Sequence, residues 1–550
     1  MKIFNKYLVI SLLTITFTSC EFDLLDSPNE VGPANANIDF LLANSYLTFN
    51  NLMTGVSNNT MGVTRLVTMQ ANVYTADNGP QTWDGVWTNA YANLIPDLDL
   101  VIVKAKEAGI TFPEGVAKVL KAYALTTIVD IFGDVPYTEA FLGTSNFGPK
   151  ADKGADIYAA ADKLLDEARV ILAGPPTGTL LNDLYYGGSA AKWLKLANTL
   201  KVRGMINQRL IKPVTQAQID AIIGADGSKG IAVPADDFKF QYGSNREAPD
   251  ARHPFYSDGY ENGGPGWYQS NFMMWTMILG KGDIVDPRVR YYYYRQDCDE
   301  ESEDAFTLPC IFQNAPNHFD GYPFCTASAD KFGDPGKKFV GYWGRDHGDG
   351  SGIPPDGLKK TCFGVYPAGG KFDADNCAQV SNAGKDGLKG VGINPIMMSS
   401  WVKFMLAENT LANGGDASVL LESAVKESVK RVMDFGAADA GTSTLKPTQA
   451  DVDAYVAKVK ADYAASSDKM NVLITEYWLD CFGNGIEPYN FIRRTCKPAR
   501  LQPTLDVDPG PFPRSQFYPG SYVSRNQNAS QKANLTTPVF WDNNPAGCVK

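Results

Sequence analysis

Apolar residues recur at intervals of three and four through much of the chain. Between Glu114 and Ala140 the residues Val116, Val119, Leu120, Tyr123, Ala124, Ile128, Ile131 and Phe132 form such a stripe, the mark of a helix packed on other helices. Gly133 follows the periodic run and Pro136 resists continuation, so the helix stops there. Similar stripes predict helices from Asn35 to Asn51, Thr82 to Gly109, Ala155 to Leu172 and Gly187 to Arg209. In the second of these, Trp87, Tyr91, Leu94, Ile95, Leu98 and Ile102 form the buried side. Helices of this length joined by turns stack as antiparallel pairs, as tetratricopeptide arrays do, although no clean repeat is visible and an irregular bundle is the alternative.

The period returns near Trp401, Phe404 and Met405 and continues through Val419 to Phe435, Ala450 to Ala464 and Lys469 to Phe482. Between about Ile231 and Ile393 it is replaced by glycine, proline, aspartate and aromatics, apart from a short helical stretch at Asn271 to Leu279. Long irregular chain in a compact domain suits a binding surface. The run Tyr291 to Tyr294 alternates like a strand, which places at least two of its rings inside. The tail from Lys497 to Lys550 is rich in proline and polar residues and is expected to wrap the surface.

No low-complexity linker divides the 550 residues, so one large domain is expected. The chain opens with Lys2 and Lys6, an apolar run from Tyr7 to Phe17, then Thr18-Ser19-Cys20. That pattern is a secretory signal, with an apolar run too short to span a bilayer. A cysteine after a small residue at its end fits a lipoprotein signal, with Cys20 lipidated, and an ordinary signal peptide is the alternative. The expected layout is a signal at 1–19, a lipid-anchored tether at 20–36 and one domain at 37–550. Within that domain the helical scaffold covers about 37–215 and 395–482, and the irregular region about 231–393. No later segment is apolar enough to cross a membrane, which leaves the lipid as the anchor. Loss of Lys2 and Lys6 with the signal moves the net charge from −11 to −13, which disfavours nucleic acid as a partner. Eight cysteines follow Cys20, an even number that points to disulfides in an exported chain. Zinc is disfavoured because no Cys-x-x-Cys pair occurs and His253, His318 and His347 are scattered.

Five stretches, in order, carry a family resemblance. They are Tyr123 with Asp130 and Phe132 to Pro136; Trp193 to Asn198 with Leu200 and Arg203; Ala407-Glu408 with Asn413-Gly414; Trp478, Phe482, Gly485, Glu487, Tyr489, Arg493, Arg494 and Pro498; and Phe512-Pro513-Arg514 with Tyr518-Pro519 and Asn526-Gln527-Asn528. Together they resemble the SusD/RagB family of outer-membrane nutrient-binding lipoproteins, with Lys201 and Gly204 departing from the usual pattern. Glu21, Asp23 and Asp26 resemble the acidic surface-export signal of Bacteroidota lipoproteins. The resemblance implies a mostly α fold of tetratricopeptide-type antiparallel helix pairs plus a large loop-rich region. It also implies a protein on the outer face of the outer membrane that binds an oligosaccharide or polysaccharide and delivers it to a SusC-type TonB-dependent transporter. Glu408, Glu487, Arg493 and Arg494 are expected as paired charges that fix helix packing, and Tyr123 and Trp193 as core.

Catalytic signatures are missing: the sequence holds no Gly-x-Ser-x-Gly, His-Glu-x-x-His, Walker or dinucleotide motif. A carboxylate pair of glycosidase type is defined in space, so a surface hydrolase stays as an alternative, as does peptide binding on the same scaffold. Sugar rings stack their C–H faces on aromatic rings while their hydroxyls need fixed polar partners. Three clusters meet that need, at Tyr74 to Trp83, Arg246 to Trp267 and Gly341 to Asp349. The expected ligand residues are Tyr74, Asp77, Asn78, Trp83, Arg246, Tyr260, Trp267 and Trp343, and the family's loop-built ligand sites favour the first two clusters. No cofactor is expected: Asp346, Asp349 and Ser351 offer clustered oxygens for calcium, but the loop lacks the glutamate and the spacing of an EF-hand, which disfavours it.

Overall fold

The structure, a computed structural model, describes residues 36–180, 182–261, 264–298, 314–324, 341–350 and 359–549. Helix α1 spans Ile38–Met61 and is capped by the Asn37 side chain, which accepts from the Asp39 amide. It runs past the expected end at Asn51. The next predicted helix is broken into a 3₁₀ turn at Pro80–Trp83, an α turn at Asp84–Thr88, a π-helical segment at Asn89–Leu94 and α2 at Ile95–Ala108. Pro96 has no N–H for the carbonyl one turn back, and the wider π segment lies just upstream of it.

Helix α3, Thr111–Phe132, ends at Gly133, whose φ of 78° is the positive value expected at a helix exit. The stripe read from sequence understates its burial, because charged positions are covered too. Lys118 bridges Glu114 at 2.6 Å and Glu167 at 2.7 Å, and Lys121 pairs with Asp99. Helices α4 (Gly154–Ala173) and α5 (Ala190–Asn207) pack alongside it, and α6 (Gln216–Ile223) follows.

The irregular region contains α7 (Pro254–Glu261), α8 (Asn271–Ile278) and two short antiparallel strand pairs. Phe238–Gln241 pairs with Ile393–Met397, and Tyr293–Tyr294 with Cys362–Phe363. All four tyrosines from Tyr291 to Tyr294 are buried. The second helical half comprises α9 (Ser399–Ala412), α10 (Ser418–Ala440), α11 (Gln449–Ala465), α12 (Lys469–Asp480) and α13 (Ile486–Thr495). The fold is thus mostly α, built of packed helix hairpins with a loop-rich middle.

A buried network joins the two halves. Asp130 of α3 accepts from Arg203 Nη2 at 3.2 Å, Asn490 Nδ2 at 2.9 Å and Trp541 Nε1 at 3.0 Å, and from the Tyr158 hydroxyl. Arg203 Nε reaches Glu487 at 2.7 Å, and Glu408 receives Arg494 at 2.7 Å and Arg209 at 2.9 Å. The expected packing role of Glu408, Glu487 and Arg494 is met. Arg493 differs, since it donates to the Tyr489 and Arg514 carbonyls and to Asn490 Oδ1. Tyr123 and Trp193 are core residues. The tail also does more than wrap the surface: Trp541 is fully buried, and Lys532 Nζ donates to the Phe132 carbonyl at the end of α3.

Disulfides join Cys298 to Cys377 and Cys496 to Cys548. Cys362 and Cys481, counted among the cysteines expected to pair, are buried thiols instead. Burial raises both thiol pKa values, which keeps them inert. Cys310 and Cys325 lie outside the described residues, as does Cys20.

Candidate functional site

Three loop stretches far apart in sequence meet at one junction. Val67 bridges Gln269 in antiparallel fashion and Ser270 bridges Arg345 in parallel. Thr68 N donates to the Tyr268 carbonyl at 3.0 Å, and its hydroxyl lies 3.0 Å from Gln269 O and 2.9 Å from Arg345 O. Gly348 N donates to Met69 O at 2.9 Å. At Gly344 a Cβ would collide with the Gln269 carbonyl and come within 2.7 Å of Asn271 Oδ1, so the close approach requires glycine.

The tail braces this junction from beneath. His347 N donates to Gln502 Oε1 at 2.9 Å, and Gln502 Nε2 donates to Asp346 Oδ1 at 2.8 Å. The buried Arg65 guanidinium donates to Gln502 O at 3.1 Å and to the Tyr74 hydroxyl at 2.8 Å. Burial, with Arg65 nearby, depresses the His347 pKa and keeps the ring neutral.

Each predicted residue has a definite place. Tyr74 is buried against His347 and Phe512, and Asn78 is buried with its amide on Asp77 Oδ2 at 3.1 Å. Trp83 is fully buried, edge-on to Phe132 at 5.4 Å. Its 3₁₀ turn points the indole inward, so the expected exposed platform of Tyr74 and Trp83 is core. Tyr260 is buried too, stacked on Tyr256 at 4.6 Å with its hydroxyl on Phe363 O at 2.8 Å. Trp343 packs in a small cluster with Phe319 and Phe324. In these four cases tertiary packing claims a ring that the sequence offered equally to solvent. Arg246 is exposed, with its guanidinium on Glu261 Oε2 at 2.7 Å. Asp77 is half-buried, and desolvation raises its carboxyl pKa to about 6.

Trp267 alone among the predicted rings is half-exposed. It stands edge-on to Phe255 at 5.7 Å, at the rim of the junction. Around it the exposed Gln70 donates to Gly266 O at 3.3 Å, Asp258 Oδ2 accepts the Gly266 amide at 2.7 Å, and Lys360 Nζ reaches Pro265 O at 3.1 Å. Burial raises the Asp258 pKa, and the amides of Gly266 and Trp267 oppose the shift. Sequence reasoning missed Gln70 and Lys360, because only long-range pairing carries them to Trp267. The Asp346 and Asp349 carboxylates, the disfavoured calcium candidates, are engaged by Gln502 and Arg345 respectively, and Ser351 lies outside the described residues. The arrangement is an open aromatic platform with amide, carboxylate and ammonium groups at its edge. Two open clefts lie elsewhere: one of about 410 Å³ between α6 and α9, and one of about 310 Å³ beside Gly204.

The whole fold is similar to solved structures of one class, the helical SusD type. A SusD/RagB family protein from Bacteroides thetaiotaomicron matches with a TM-score of 0.66 at 19% identity, over 93% of this chain and 100% of the other. A chitin-binding protein matches at 0.64 and 22% identity over 92% and 100%. A chitin-binding SusD homolog from Flavobacterium johnsoniae matches at 0.61 and 18% identity over 92% and 99%. No curated protein sequence matches the chain. The SusD-like family model, described as starch-binding and associating with the outer membrane, matches residues 33–310. The chain belongs to the SusD-like family. No helix among the described residues is long and apolar enough to cross a membrane.

Proposed function

We propose that this chain is a cell-surface lipoprotein that captures an oligosaccharide on the Trp267 platform and delivers it to a SusC-type TonB-dependent transporter. In this reading residues 1–19 are the signal, Cys20 carries the lipid, 20–36 form the tether and 37–550 act as one domain. The observation that carries the reading is the junction itself. It fixes three loops against one another and leaves Trp267 half-exposed beside Gln70, Asp258 and Lys360. A ring face flanked by fixed donors and acceptors suits a sugar, whose C–H face and hydroxyls need both at once. The chitin-binding names of two similar structures place chitin oligosaccharides beside starch oligosaccharides at the head of a test panel.

Calorimetry of the soluble chain against that panel, with peptides included, tests the proposal. Trp267→Ala is expected to weaken glycan binding about tenfold, or about 1.4 kcal/mol, with Tm unchanged. Unaltered binding would remove Trp267 from the site, and peptide binding without glycan binding would replace the ligand class. Release of products from any polysaccharide would overturn the binding-only reading.

A further inference from the structure

We propose that the open cleft between α6 and α9 is a second ligand site, separate from the Trp267 platform, and that it takes a small organic cation, a protonated amine carried on an apolar body. Its volume of about 410 Å³ suits a small molecule. The inference does not rest on the proposed function.

The walls of the cleft are fixed at the helix ends. A capping box between Thr215 and Gln218 starts α6, and Gly224, with a φ of 81°, turns the chain out of it. At the far end of α9, Asn413 Nδ2 donates to the Val214 carbonyl at 2.9 Å, which ties the end of that helix to the residue before the α6 cap. Between these ties lies an apolar floor. Ile223, Ile231 and Val402 are buried, whereas Leu406 and Leu420 are half-buried and keep apolar surface in water. A hydrocarbon body laid on that floor removes apolar surface from water on both sides.

The polar groups choose the sign of the ligand. The donors of three lining residues are engaged within the protein: Lys403 Nζ meets the Glu427 carboxylate, the Thr410 hydroxyl donates to Leu406 O at 2.9 Å, and Asn413 Nδ2 reaches Asn409 O at 2.8 Å as well as Val214 O. The acceptors are not so engaged. Asp220 Oδ1 accepts from Gln216 Nε2 at 2.8 Å and Asp226 Oδ1 from Ser228 N at 3.0 Å, and neither carboxylate has an ion pair among the described residues. Hydrogen bonds from Ser228, with a smaller contribution from Lys229, hold the Asp226 pKa below the usual range, so it is ionised at neutral pH.

Two carboxylates without ion pairs beside an apolar floor repel an anion and favour a ligand that brings positive charge and N–H donors. No aromatic side chain among the described residues lines the cleft, so it offers a sugar no ring to stack on.

Calorimetry with 4-phenylbutylamine, and with 4-phenylbutyrate as the same body of opposite charge, tests the site. The amine is expected to bind at least tenfold more tightly than the carboxylate. The double variant Asp220→Asn/Asp226→Asn keeps acceptors for Gln216 and Ser228, and is expected to weaken amine binding at least tenfold with Tm and glycan affinity unchanged. A diazirine-bearing analogue of the amine is expected to label peptides from α6 and α9 of the wild type, and excess 4-phenylbutylamine to suppress that label. Equal binding of the two probes would overturn the inference. So would full amine binding by the double variant, label confined to the Trp267 platform or scattered over the chain, or no saturable amine binding at millimolar concentration. Each of those results would leave the glycan reading standing, and amine binding without glycan binding would remove the glycan reading alone.

Discussion

Asp77 carries an unusual load for a small side chain. It is half-buried, its carboxylate meets Asn78 Nδ2 at 3.1 Å, and desolvation lifts its pKa from 3.8 to about 6. Between those two values the folded chain holds a proton that the unfolded chain has lost. Stability therefore falls as pH rises from about 4 to about 6 and stays at the lower level above that. Asp77→Asn keeps an oxygen for Asn78 and abolishes the titration. Its Tm should exceed that of the wild type near neutral pH, with the gain vanishing near pH 4. An equal gain at both pH values would mean that the carboxylate carries no such penalty. The same scale shows why the candidate site was only partly legible in the sequence. Trp83, Trp267 and Trp343 all sit among polar residues and glycines, yet only Trp267 keeps a face toward solvent. What separates them is Phe132 against Trp83 and the pair Phe319 and Phe324 against Trp343. Those contacts come from distant parts of the chain and leave no mark on local spacing.

Among the elements, α3 was readable because its apolar stripe ends at a glycine followed closely by a proline. Helix α13 was not placed as a helix, and its composition explains why. It spans only Ile486–Thr495, and Glu487, Asn490, Arg493 and Arg494, which resemble a solvated stretch in sequence, are as buried as Ile486, Tyr489 and Ile492 because distant partners enclose them. The π-helical turn at Asn89–Leu94 was hidden for another reason, since its side chains keep nearly the helical spacing while the hydrogen bonds change register. Where helices meet through charge, the charges balance: Asp130, Glu408 and Glu487 face Arg203, Arg209 and Arg494. Removal of one member leaves an opposite charge buried without its counterpart. Glu408→Ala should destabilise the protein by about 3–5 kcal/mol, read from the midpoint of chemical denaturation. A loss below about 1 kcal/mol would place Arg209 and Arg494 in contact with water.

At the scale of the whole molecule, the tail returns to the scaffold and is locked there. The Cys496–Cys548 disulfide closes a loop with a sequence separation of 52, and within it Trp541 is buried against the network around Asp130. Cys548→Ser should lower stability by roughly 2–4 kcal/mol, and a reducing agent should lower the wild type toward the variant. If reduction leaves the wild-type Tm unchanged, native contacts alone hold the tail. The bond from Trp541 Nε1 to Asp130 spans 411 residues of sequence. Loop closure over such a distance must precede the contact that rewards it, and chains dominated by such pairings fold slowly. The Asp130 carboxylate therefore lacks its full set of donors until Trp541 has arrived. A chain stopped short of Trp541 would hold α3 with one donor to Asp130 missing, so the arrival of Trp541 acts as a timer for the completion of the centre.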